Sequence, residues 1–200
     1  VLKDLTAGGV ELTLEDLAIL MIRESDNTAT NILIDEVGMD AVNRLMEELG
    51  APGTRLQRKM IRPEASARGD ENLSTPSEAA GLMARIEGCE LPFSEGGCER
   101  VREILEIPKG GPVALPIPGD VPVAFKPGGI EGVATVWALV GLPDRPYVLT
   151  VMSTYGGPGG ALIEAASEAA WEYFRRLSRA TDYGVRVPLE LIEPHREPRR

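Results

Sequence analysis

Residues 121–126, 133–140 and 147–154 are rich in β-branched and apolar side chains, and tight turns join them. Nothing else in the chain constrains its fold as much. LPDRP, between the second and third runs, is a hairpin turn, so those two strands are expected to be antiparallel neighbours. Residues 160–177 follow as a strong amphipathic helix, with Leu162, Ala166, Ala169, Ala170, Tyr173 and Phe174 on its expected inner side. Helices, then strands, then a helix give an α+β layout in which a helix covers an antiparallel sheet. A sheet of three strands is small for this many helices.

The helices before the strands are read from caps and period. Thr13 and Asp16 form a capping-box pattern, and Leu14, Leu17, Ala18 and Met21 then follow helical spacing to about residue 24. A second helix is expected over 28–37, closed by Gly38, and a third over 40–49, closed by Gly50. Residues 51–73 lose the pattern and read as a long polar loop with room for a short helix; loops of that length are often functional. STPSE opens another helix that buries Leu82, Met83 and Ile86, and residues 99–107 form one more. PKGGPVALPIPGDVP is a connector by its Pro and Gly content. Trp137 and Trp171 are expected in the core. The reading is one domain over 1–177 and an extended, solvated tail over 178–200 that carries the lone His195.

A formal net charge of −10 over 200 residues argues against nucleic acid and anionic membrane as partners, because both select basic faces. No apolar run reaches the length of a membrane span, and VLKDLTAGG lacks the character of a secretory signal. Cys89 and Cys98 are too few for a metal site without histidine. Two free thiols are expected rather than a small-loop disulfide, which would suit an exported protein. Neither metal nor cofactor is implied.

Two polar elements stand out. Ser25-Asp26-Asn27 interrupts a helical pattern with three side chains that compete with the backbone for hydrogen bonds. Lys126-Pro127-Gly128-Gly129 sits at the expected end of the first strand, where an ammonium and open N–H groups could meet a substrate. The simpler readings are an interhelical turn capped by Asn27 and an exposed strand-end lysine.

LTLEDLAILMIRESDNTATNILIDEVG, ENLSTPSEAAGLM and Lys126-Pro127-Gly128, with the final hairpin and helix, resemble the class A serine β-lactamases and their penicillin-binding relatives over residues 1–177. That resemblance implies a β-lactamase-like fold and an acyl-enzyme reaction on a β-lactam or a peptidoglycan-type D-Ala-D-Ala amide. It implies that Ser25 relays a proton to the leaving nitrogen, beside the positive charge of Lys126. Asn27 would hold the substrate's side-chain amide, Asp26 would fix the turn, and Gly128 and Gly129 would line the substrate, with the Gly129 N–H as half of an oxyanion hole.

Three departures qualify this. No Ser-x-x-Lys occurs, so the chain is expected to be a C-terminal portion that lacks the nucleophile's helix and two N-terminal strands, inactive alone and completed by that segment. The Glu-x-x-Leu-Asn loop is absent, leaving Glu64 and Glu71 as weak candidate bases, both better read as solvated carboxylates. Pro127 replaces a hydroxyl residue. A D-Ala-D-Ala peptidase or penicillin-binding relative, and a non-catalytic binding module, are the alternatives. By resemblance the parent protein is periplasmic or secreted. Such a truncation is also expected to leave a sheet edge and an apolar face open.

Overall fold

The computed structural model describes residues 1–4, 11–155, 159–180 and 184. Seven α-helices surround the sheet among them: α1 (Leu14–Arg23), α2 (Asn27–Val37), α3 (Met39–Glu48), α4 (Pro63–Ala67), α5 (Pro76–Glu87), α6 (Glu95–Glu106) and α7 (Gly159–Leu177). The strands are β1 (Val123–Ile130), β2 (Val133–Val140) and β3 (Tyr147–Thr154), in the order β1-β2-β3 and antiparallel throughout. None of the helices is long and apolar enough to cross a membrane among the described residues.

The sheet is covered on both faces, because successive side chains alternate. Phe125, Val136 and Ala138 point to one side, where they pack with Ile163 of α7 and Val113. Val140 and Tyr147 extend that layer to Trp171. Ala124 and Leu139 point to the other side and meet Met83 of α5 and Leu105 of α6, with Ile22 of α1 against the same cluster. Three layers result, and the layer holding α1, α5 and α6 is the one that carries the polar junction after α1.

Several expectations change. β1 does not end at Lys126 but continues through Pro127, Gly128 and Gly129 to Ile130. Pro127 lies opposite Val136 on a strand at the sheet's edge, where its missing N–H costs no ladder bond to a further strand. Helix α6 starts four residues early, with Ser94 as its N-cap accepting from the Gly97 N–H at 3.2 Å, because capping outweighs the poor propensity of Gly96 and Gly97. The buried stripe of α7 is Ile163, Ser167 and Trp171, whereas Leu162 and Tyr173 are exposed. Ser167 fits there because its hydroxyl donates to the Val113 carbonyl at 2.6 Å. Val113 itself is wholly buried, so the Pro/Gly-rich connector contributes core.

The cysteines are not free thiols: Cys89 and Cys98 form a disulfide. Cys89 takes a left-handed conformation just after α5, and the chain doubles back so that its Cα lies 5.5 Å from that of Cys98 in α6. Spacing in sequence alone does not show such a reversal. The tail call at 178–200, His195 included, lies for the most part outside the described residues.

Candidate active site

Helix α1 begins with the expected capping box, Thr13 accepting from the Asp16 N–H while Asp16 accepts from the Thr13 N–H at 2.8 Å. It ends at Arg23, and the N–H groups of Glu24 and Asp26 both turn back to the Leu20 carbonyl at 3.1 Å. Ser25, between them, has φ +50, which lifts its side chain out of the helical path. Asp26 then caps α2, its carboxylate accepting from the N–H groups of Thr28 and Ala29, each at 2.9 Å. Asp26 is buried, which opposes ionisation. The N–H of Ala29, the Val1 ammonium and the N–H of Leu2 outweigh that and hold its carboxyl well below the usual range.

Lys126 stands two residues after Ala124 on β1, so it faces the layer of α1, α5 and α6. There its ammonium donates to the Ser25 hydroxyl, 101 residues away in sequence, and to the Pro127 carbonyl at 2.6 Å. Burial lowers the proton affinity of Lys126. Behind it, Lys109 donates to the carbonyls of Leu105 and Ile107 at 2.5 and 3.0 Å and lies 4.7 Å from the Phe125 ring centroid. Burial, then the like charge of Lys126, pushes the Lys109 ammonium down to about 8. A serine hydroxyl held by a partly desolvated ammonium is chemically a proton-transfer pair.

Asn27 is exposed at the start of α2, and its amide makes no hydrogen bond among the described residues. Gly128 and Gly129 extend β1 past Lys126. A Cβ on Gly128 would lie 2.8 Å from the Thr135 hydroxyl oxygen, and one on Gly129 would lie 3.2 Å from the Val133 carbonyl oxygen. Both positions therefore favour glycine, and the two successive residues leave that part of the strand without side chains.

Glu64 and Glu71 do not join this cluster. Glu64 lies exposed in the first turn of α4. Glu71 is held low by the Ser66 hydroxyl and then by Arg58, whose guanidinium reaches it at 2.7 Å. Sequence reasoning passed over the residues that fix the long loop against α2. Asn31 accepts from the Met60 N–H at 2.7 Å and donates to the Met60 carbonyl at 3.2 Å, and Lys59 pairs with Asp35. Their signal was present: Asn27, Asn31 and Asp35 repeat every four residues along α2.

A family model described as the beta-lactamase enzyme family matches residues 1–174. No curated protein sequence matches the chain. Among solved structures, the beta-lactamase from Sphaerobacter thermophilus is 31% identical with a TM-score of 0.75, the match covering 86% of this chain and 66% of that one. PBP-A is 25% identical with a TM-score of 0.74, over 85% of this chain and 64% of its own. A PBP-A mutant solved as an acyl-enzyme complex with penicillin G is 26% identical with a TM-score of 0.74, over 86% and 65%. The chain spans slightly under two thirds of the length of these relatives.

Proposed function

The chain belongs to the beta-lactamase enzyme family, and from that premise we propose that it supplies the proton-relay and substrate-holding half of an acyl-transfer site. The substrate is a β-lactam or a D-Ala-D-Ala-type peptide amide. The observation that carries this reading is the hydrogen bond from Lys126 to Ser25. A nucleophilic serine outside these 200 residues attacks the amide carbonyl, and an acyl ester forms as the C–N bond breaks. Ser25 gives its hydroxyl proton to the departing nitrogen. Lys126, a readier donor for being desolvated, restores it. The proton that the attacking serine gives up restores Lys126 in turn, so that one proton in all passes from that hydroxyl to the nitrogen. The Asn27 amide holds the acylamino group of the substrate, and the Gly129 N–H serves as one donor to the carbonyl oxygen as it gains charge. Asp26 keeps the turn in place.

Acylation that outlasts deacylation is the favoured outcome. Glu71 is tied to Ser66 and Arg58 and is a poor base, while Glu64 has no partner among the described residues to orient it. The PBP-A mutant captured with penicillin G lends support as a relative of the same fold. The Cys89–Cys98 disulfide supports a periplasmic or secreted location for the parent protein.

In the natural protein with its nucleophile, Ser25→Ala is expected to slow acylation by penicillin G by about 10²–10⁴-fold, the usual worth of positioned proton transfer. An unchanged rate removes Ser25 from the mechanism. The 200-residue chain alone is expected to give no covalent adduct by mass spectrometry, and a stable adduct would mean that the nucleophile is already in it.

A further inference from the structure

Lys126 has a second cation for a neighbour. Lys109 follows α6, and its ammonium turns back to the helix end, donating to the Leu105 and Ile107 carbonyls at 2.5 and 3.0 Å. The same ammonium lies 4.7 Å from the centroid of the Phe125 ring, and Phe125 precedes Lys126 on β1. Burial, then the like charge of Lys126, loosens its hold on the proton.

Among the described residues neither ammonium has a carboxylate as ion-pair partner. The acids of the surrounding helices are engaged elsewhere. Glu103 of α6 and Glu15 of α1 both hold Arg100, while Glu106 of α6 and Glu87 of α5 lie by Arg102. From β2 the residue opposite Lys126 is Trp137, from α7 Ile163 packs with Phe125, and from the α1–α2 junction comes the uncharged Ser25 hydroxyl. A lysine at a helix C-terminus is ordinary, because the last carbonyls carry partial negative charge. Here α6 packs against β1, so those carbonyls, left bare, would strengthen the hold of Lys126 on its proton. Lys109 cancels them and adds a like charge beside a lysine that grips a reacting hydroxyl, an arrangement that costs stability.

We propose that Lys109 is a positioning residue of the proton relay: while charged, it closes the C-terminal end of α6 and makes the neighbouring Lys126 ammonium a readier donor to Ser25. This rests on the reading of the site given above. Lys109 acts through Lys126 and transfers no proton itself; the proton still passes from the Lys126 Nζ to the Ser25 Oγ and on to the departing nitrogen. Neutral Lys109 withdraws the help. Since Lys109 gives up its proton at about pH 8, before Lys126 does, the relay weakens there while Lys126 is still charged.

The test is the pH profile of acylation of the natural full-length protein by penicillin G, followed as second-order rates by mass spectrometry from neutral into alkaline buffer. The wild-type rate is expected to drop by about threefold in a step at about pH 8, and to fall again as Lys126 loses its proton. Lys109→Met is expected to begin at the lower rate and to show only the second fall. Lys109→Arg, charged throughout, is expected to keep the higher rate past the first step and to bring the second fall down by about half a pH unit. Thermal unfolding checks that both variants are folded, and the arginine variant decides alone should methionine unfold the chain. A residue that only caps α6 would change Tm and leave both falls in place. That result, or a wild type with a single fall, would overturn the inference and leave the site reading standing. No acylation at any pH, or a rate that Lys126→Met leaves unchanged, would overturn the site reading and this inference with it.

Discussion

At the residue scale, Asp26 shows how a supporting group differs from a reacting one. Its folded carboxyl lies well below the usual range despite burial, because N–H donors and an ammonium surround it. A group lowered in this way contributes stability above its unfolded value, near 3.9, and loses it as pH falls through the folded value. Asp26→Ala is expected to cost about 1–2 kcal/mol at neutral pH through the lost cap. Urea unfolding at pH 7 and pH 3 should show the gap between variant and wild type narrowing in acid, and a gap independent of pH would deny the carboxylate that role. Asp26, Ser25 and Asn27 were legible in the sequence because a local motif carries them. Lys109 was not, since no local motif marks it and its contact with the Phe125 ring exists only once the end of α6 lies against β1.

At the element scale, the second and third strands and the α2–α3 junction at Gly38 follow the expected pattern closely, because period and turn residues are local signals. The long loop between α3 and α5 defied reading for the opposite reason. Its order depends on Asn31, Asn43 and Asn72, whose amides bond across 13 to 29 positions of sequence. The disulfide belongs to the same class, joining the end of α5 to α6, which packs against β1. Replacing both cysteines by serine is expected to lower stability by about 2–3 kcal/mol, the worth of closing a loop of this size. The effect of added reductant on urea unfolding should then vanish. Equal midpoints for wild type with and without reductant would show that the cross-link contributes nothing.

At the scale of the whole molecule, β1 and β3 form the two edges of the sheet, and neither meets another strand among the described residues. Family membership and layer order were legible, since a motif and a strand meander suffice for both. The 200-residue chain alone is expected to unfold over a broad range and to bind a dye specific for apolar surface. A sharp, cooperative transition of a monomer would contradict that. Ser25 has a consequence of another kind. At φ +50 its backbone suits glycine better than serine, so the residue that Lys126 grips is also one that the fold would exchange with relief. A variant library scored only for folded yield would rank glycine above serine at position 25, and would so record the chain's most informative hydroxyl as a defect.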